Sequence, residues 1–220
     1  MASFSLSPHL SDADWDPLFV VDIHAFQNNP EVLALSPGGL SPAHREQNLA
    51  AFRHSVFGGP IERAYAKITE ATSQEITSFI SARVYRGPKG VVDGDLAAEP
   101  APIKLPQIED AEERRFYESY WNSIRAALRS SEEMQVPHVF IQALGTDPAW
   151  QGKGAATILV NWLLAFTAEQ KLGRCALQAS PTAMALGFYE KFGFRAVKTT
   201  QFVDERGRES KPVVMMVKDF

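Results

Sequence analysis

The sequence has little of what would suggest an extracellular, membrane-bound or nucleic-acid-binding protein. Cys175 is the one cysteine in 220 residues, so no internal disulfide can form and a reducing, cytoplasmic setting is expected. No apolar run approaches the ~20 residues that cross a bilayer. The opening Met1-Ala2-Ser3-Phe4 has neither the basic nor the apolar region of a secretion signal. No membrane partner is expected. Lys and Arg number 22 against 26 Asp and Glu, a formal charge of -4. With no basic block along the chain, a nucleic-acid partner is not expected either. Internal repeats, heptads and charge runs are all missing. What remains is 45% apolar and 22% charged, an ordinary soluble composition, at a length that suits a single domain over residues 1–220 with one sizeable core.

What is present is concentrated in residues 139–194. An apolar run to Leu144 is broken by Gly145, and Thr146-Asp147-Pro148 signals a turn. Gln151-Gly152-Lys153-Gly154-Ala155-Ala156 follows. It leads into a helical pattern that places Leu159, Trp162, Leu163 and Phe166 on one face, with Gly173 as the expected C-cap. Residues 175–179 read as a strand around Cys175, which is expected to be a packing residue. Ser180-Pro181 reads as the cap and first turn of a last helix that Gly193 closes, with Tyr189 just over two turns in. Small residues at a helix N-terminus let open backbone N–H groups reach an anion, and Lys153 adds a cation. A P-loop would need Ser or Thr after Lys153, where Gly154 stands. A dinucleotide fingerprint would need glycine or alanine at the position of Thr157 and an acidic residue after the next strand, which ends in Ala179-Ser180.

The hexapeptide at 151–156 resembles the Q/R-x-x-G-x-G/A signature of the GNAT N-acetyltransferase superfamily. Gly187-Phe188-Tyr189-Glu190-Lys191-Phe192-Gly193-Phe194 is similar to that family's late tyrosine motif. The resemblance covers residues 138 onward; the first half matches only in its pattern of elements. It implies an α/β fold, with a central, mixed, mostly antiparallel twisted sheet of about six or seven strands, flanked by helices and splayed at the central strand. It also implies acetyl-CoA (coenzyme A) as cosubstrate and no metal. The pyrophosphate would rest on Gln151, Gly152, Lys153, Gly154, Ala155 and Ala156. The backbone of Leu144, Gly145 and Thr146 would meet the acyl-pantetheine arm, with Gly145 tolerating a bulge. Ser180 and Thr182 stand where relatives carry a pantetheine-binding Asn. Tyr189 occupies the position of the general acid that protonates the leaving thiolate. His24 and Gln142 are expected to line the acceptor site. The general base is left open among His138, expected at the strand mouth, Asp22 and His24. The reaction implied is direct attack by a primary amine of a small molecule on the thioester, in a monomer or homodimer. A protein lysine or N-terminus as acceptor, and a non-catalytic acyl-CoA-binding module, are the alternatives.

In chain order, a short edge strand is expected at 4–8, and a helix capped by Ser11 over 12–27 with Trp15, Leu18, Phe19, Ile23 and Phe26 on its apolar face. Asn28-Asn29-Pro30 should break it. A Pro/Gly-rich connector at 33–40 precedes a helix opened by Ser41-Pro42 that runs to Phe57, where Gly58-Gly59-Pro60 ends it. Strands at 62–69 and 76–85 form a hairpin whose interior carries Ala64, Ala66, Ile68, Phe79, Ile80 and Val84. Residues 86–135 read as an insertion: a Pro/Gly-rich loop over 87–110 that tunes acceptor access, then a helix over 109–131 with Tyr117, Trp121, Ile124 and Leu128 on one face, widened by Phe116 and Tyr120. Residues 195–203 and 212–218 should close the fold as a hairpin.

Overall fold

Burial alternates residue by residue along Arg63–Glu70, as in a strand with one covered face, whereas nearly all of Ile76–Tyr85 is buried, as in a strand covered on both. These are two of the elements in a computed structural model that describes residues 3–57, 62–87 and 102–220. In chain order they are β1 (Phe4–Ser7), α1 (Trp15–Ala25), α2 (Pro30–Leu33), α3 (Arg45–Phe52), β2 (Arg63–Glu70), β3 (Ile76–Tyr85), α4 (Ala111–Arg129), β4 (His138–Thr146), α5 (Ala155–Glu169), β5 (Arg174–Ala179), α6 (Ala183–Glu190), β6 (Arg195–Thr200) and β7 (Val213–Asp219). The strands form one seven-stranded sheet in the order β1-β2-β3-β4-β5-β7-β6. The pairs β1–β2, β2–β3, β5–β7 and β6–β7 run antiparallel. The fold is α/β, as expected.

By contacts the chain divides into two compact units, Met1–Arg83 with Ile141–Phe166 and Val84–Phe140 with Thr167–Phe220. In the first, Leu18, Phe19 and Val21 of α1 pack with Phe52 of α3 and with Ile76 and Phe79 of β3. The buried stripe of α1 therefore includes Val21, while Trp15 and Ile23 sit at its margin. Ser11 does begin this helical segment: its N–H and hydroxyl both donate to Asp14, through a 3-10 turn at Asp12–Asp14. Pro30 acts differently from expectation. It follows the end of α1 and occupies the first turn of α2, which Asn29 caps by accepting from Val32 N–H at 3.2 Å. The next helix starts at Arg45 rather than at Ser41-Pro42, because residues 42–44 form turns first. It loosens into a π-helical turn over Arg53–Phe57. Ala64, Ala66, Ile68, Phe79, Ile80 and Val84 are all buried as expected.

In the second unit, α4 is capped by Asp110, which accepts from the N–H groups of Glu112 and Glu113. Its buried line is Phe116, Tyr120 and Ile124 at strict i, i+4 spacing, so the expected face is rotated and Tyr117 and Trp121 become its flank. A second cluster joins Met134, Ala176, Met215 and Val217. The C-cap of α5 is a further correction. Lys171, at φ 55°, takes the left-handed position; its N–H bonds Ala168 O, and Leu172 N–H bonds Thr167 O. Gly173 instead ties strands and termini, donating to Pro137 O and accepting from Phe220 N–H. The expected loop at 87–110 falls mostly on 88–101, outside the described residues, as does the Gly58-Gly59-Pro60 helix stop.

Candidate active site

The turn after β4 is built by Asp147. Its N–H donates to Thr77 O at 3.0 Å, and its Oδ1 accepts from Ala149 N–H at 2.9 Å to start a 3-10 turn over Pro148–Trp150. Gln151 then reaches back, its Nε2 donating to Thr146 O at 3.2 Å. Gly152 and Gly154 adopt φ 73° and 96°, conformations that side-chain-bearing residues rarely take, and a Cβ on either would meet nothing within 4 Å. Among the described residues, the N–H groups of Gly152, Lys153 and Gly154 have no hydrogen-bond partner. They open onto the first turn of α5, where Ala155 is buried and serves packing. Lys153 Nζ lies 4.3 Å over the Trp150 ring, which stands edge-on to Phe4 at 6.1 Å. A row of open donors, a helix dipole and a held ammonium together attract an anion. Just before the turn, Thr146 Oγ1 is buried with no partner among the described residues.

In β4 itself, Gln142 is a hub. Its Oε1 accepts from Arg63 Nη1 and Arg83 Nε, both at 2.8 Å, and its Nε2 donates to Ser55 O at 2.6 Å. Arg63 and Arg83 oppose one another across β2 and β3, so this oxygen offsets a like-charge pair. Gly145 is glycine for a packing reason: a Cβ there would sit 2.6 Å from Cε1 of Phe79. Side chains alternate along a strand, so Gln142 and Gly145, three apart, should face opposite ways. Yet Gln142 meets Arg83 and Gly145 meets Phe79, and those two lie four apart on one face of β3. The alternation of β4 is broken between them, as in a bulge.

Two candidate proton acceptors lie on α1. His24 Nδ1 is 2.7 Å from Asp147 Oδ2. The Asp22 carboxyl has no hydrogen-bond partner among the described residues, and burial pushes it up to about 7. His138 is a different case. It is buried, stacked on Tyr85 at 4.6 Å and bonded through Nδ1 to Val136 O, and burial lowers its pKa so that it stays neutral. It does open β4, as expected, but as a buried core histidine.

In the second unit, Cys175 is fully buried and bonded to Thr167, with its thiol pushed up to about 12 by burial, so it is a packing residue. The cap of α6 is Thr182, whose Oγ1 accepts from Ala185 N–H at 3.2 Å; Ser180 and Pro181 precede it, exposed. Tyr189 is therefore the seventh of eight helical residues, less than two turns in. Its ring packs edge-on to Phe188 at 5.1 Å and Phe194 at 5.8 Å. Burial, with Cys175 adding to it, raises its pKa, so the phenol keeps its proton at neutral pH. Gly193, at φ 84°, closes the helix: its N–H bonds Glu190 O and Phe194 N–H bonds Tyr189 O. Sequence reasoning missed Asp147 as the partner of His24, having read it only as a turn residue, and it missed the Arg63–Arg83–Gln142 cluster. Neither grouping has a local signal, since its members are separated by dozens of residues.

Residues 89–194, which contain β4, the glycine turn and Tyr189, match the model of the acetyltransferase (GNAT) family. No curated protein matches the sequence significantly. Solved structures with a similar fold include an apo-form variant of agmatine N-acetyltransferase (13% identity, TM-score 0.65, 99% of both chains covered). They also include arylalkylamine N-acetyltransferase 2 from Aedes aegypti (16%, TM-score 0.65, 99% of both chains). The ribosomal-protein-S18-alanine N-acetyltransferase from Escherichia coli is more distant (13%, TM-score 0.54, 99% of this chain and 94% of that one). With the family's model matched across the glycine turn, residues 89–194 carry a GNAT acetyltransferase domain, that of an acyltransferase, and the chain as a whole adopts the fold of these solved N-acetyltransferases.

Proposed function

We propose that the protein moves an acetyl group from acetyl-CoA to the primary amine of a small molecule. The observation that carries this is the glycine turn, where three consecutive N–H groups at the start of α5 have no partner among the described residues, and a Cβ on either glycine would meet nothing within 4 Å. That arrangement fits a pyrophosphate, and Lys153 supplies a countercharge. Gln151, Ala155 and Ala156 complete the cradle, the last two through their backbone. The orphaned Thr146 hydroxyl, together with the backbone of Leu144 and Gly145 at the break in β4, fits a polar ligand arm. When bound, acetyl-CoA supplies an activated acyl group on a thiol leaving group. A backbone N–H at the irregular part of β4 would stabilise the oxyanion as it forms. Tyr189, kept protonated by burial, would donate its proton to the departing sulfur. The hydroxyls of Ser180 and Thr182 are proposed pantetheine contacts; that of Thr182 already accepts one bond at its cap and keeps its O–H and a second lone pair for a ligand.

The small-amine acceptor rests on the printed activities of two of the structural neighbours, agmatine and arylalkylamine N-acetyltransferases. The Escherichia coli neighbour acts on a ribosomal-protein alanine, which keeps a protein N-terminus as the second reading. No described helix is long and apolar enough to cross a membrane, and no group of His, Cys, Asp and Glu among the described residues could hold a metal. A cytoplasmic enzyme, monomeric or homodimeric, is proposed. The test is calorimetric titration with coenzyme A. Wild type should bind, and Gly154→Glu, which strains the backbone and puts an anion in the cradle, should lose affinity at least tenfold while staying folded. Unchanged affinity refutes the cradle. Transfer to agmatine, tryptamine and an Ala-initiated peptide then separates the acceptor classes.

A further inference from the structure

We infer that His24, oriented by Asp147, is the base that takes the proton from the acceptor amine; this rests on the acetyltransferase reading above. An amine attacks only through its lone pair, and at neutral pH a primary amine is an ammonium. Asp147, a carboxylate, accepts the hydrogen bond from Nδ1, which fixes the tautomer with Nε2 unprotonated. Nε2 has no partner among the described residues, and the His24 side chain is 45% exposed, so a substrate can reach it. Asp147 is itself held at both ends of its turn, through Thr77 O and Ala149 N–H, and only 17% of its side chain is exposed. The imidazole is thus anchored to the residue directly after β4. Asp147 is two strand positions, ~7 Å, beyond Gly145, where the acyl group is proposed to lie.

The other charged groups on α1 and the elements packed with it are paired elsewhere or exposed. Asp12 pairs with Arg53, Asp14 with Lys67 and Asp16 with Arg45. Arg63 and Arg83 bond Gln142, His44 bonds Ser41, and Glu46 on α3 and His54 in the turn that continues it are exposed. The rival is Asp22, two residues earlier on α1 and about 200° around the helix from His24. In the step itself, Nε2 takes one proton from the ammonium and later releases it to solvent. The freed lone pair forms the N–C bond. When the C–S bond breaks, its electron pair leaves with sulfur, which takes a proton from Tyr189, and the second amine proton restores that phenol through solvent.

The experiment follows acetyl-CoA consumption from pH 5.5 to 10 with agmatine, spermidine or tryptamine, and with water as the only acceptor, roughly bracketing the amine and imidazole ranges. Wild type, His24→Gln, Asp147→Asn and Asp22→Asn are compared, with coenzyme A affinity measured on the same samples. His24→Gln should lower kcat/KM about a hundredfold near pH 7. The deficit should shrink as pH approaches the amine's own pKa, near ~10, since a free amine needs no base. Asp147→Asn, whose amide oxygen can still accept from Ala149 N–H, should show a smaller loss of the same pH shape. A merely structural latch would lower the rate equally at every pH. That uniform loss, a His24→Gln profile equal to wild type, or loss of the acid limb in Asp22→Asn instead, overturns the assignment. So does a wild type that binds coenzyme A yet transfers to none of these acceptors, water included. A wild type that binds no coenzyme A refutes the acetyltransferase reading itself.

Discussion

Gly145→Ala adds one methyl group at the point where β4 meets the core. Its carbon would lie 2.6 Å from Cε1, 3.2 Å from Cζ and 3.3 Å from Cδ1 of Phe79. Carbon atoms rest at about 3.5–4.0 Å, so the overlap is roughly 1 Å. The ring cannot swing clear. Phe79 is fully buried, it stands edge-on to Phe52 at 5.9 Å, and Phe52 packs on Phe19 at 5.5 Å. Either the strand or the α1–α3 layer must move, and overpacking of this kind costs about 1–3 kcal/mol. Denaturant unfolding should show a loss of about 2 kcal/mol at unchanged slope. Phe79→Leu opens the space from the other side, so the double variant should be more stable than the sum of the singles by at least ~1 kcal/mol. Acetyl transfer should fall about a hundredfold, because a shift of ~1 Å at a positioned site costs that much. Coenzyme A affinity, proposed to be set by residues 151–156, should change little. A Gly145→Ala variant within about 0.5 kcal/mol of wild type, a range ordinary for surface changes, or strict additivity with Phe79→Leu, would refute the steric reasoning.

Asp22→Asn should gain on wild type as pH rises. The folded carboxyl titrates near 7 instead of 3.8, so its stabilising neutral form is fully present below pH 3.8 and is lost as pH rises through about 7. The gap between the two stabilities should therefore widen between those values, by at most on the order of 4 kcal/mol, and a gap that is flat with pH in urea titrations contradicts the burial argument. Tyr189→Phe keeps the packing against Phe188 and Phe194, so single-turnover acetyl transfer should drop about a hundredfold with coenzyme A affinity intact; equal rates leave Tyr189 a packing residue. Lys171→Gly relieves a left-handed backbone at the end of α5 and should raise stability by about 0.5–1 kcal/mol, with a lower thermal midpoint as the contrary result.

Local chemistry was legible without the fold. The glycine turn, the helix it opens and the Gly193 closure of α6 depend on residues within a few positions of one another, and backbone preference acts at that range. So do the alternation of β2 and the periodicity of α4, although the rotation of α4 that buries Phe116 and Tyr120 is chosen by what it packs against. A Lys at the left-handed cap of α5 and a Pro that both follows one helix and opens the next show local preference yielding to context. Position along the chain says nothing about the contacts that separate roles at the site. His24 and Asp147 are 123 residues apart, and Arg63 and Gln142 are 79 apart. His138 is expected at the strand mouth and proves buried; Gly145, expected to tolerate a bulge, also makes room for Phe79. Sequence alone determined where an anion could be held, because backbone donors and small residues create that site locally. Only the tertiary structure decided which side chains are buried, paired or left open, because desolvation and hydrogen bonding depend on neighbours brought together by folding.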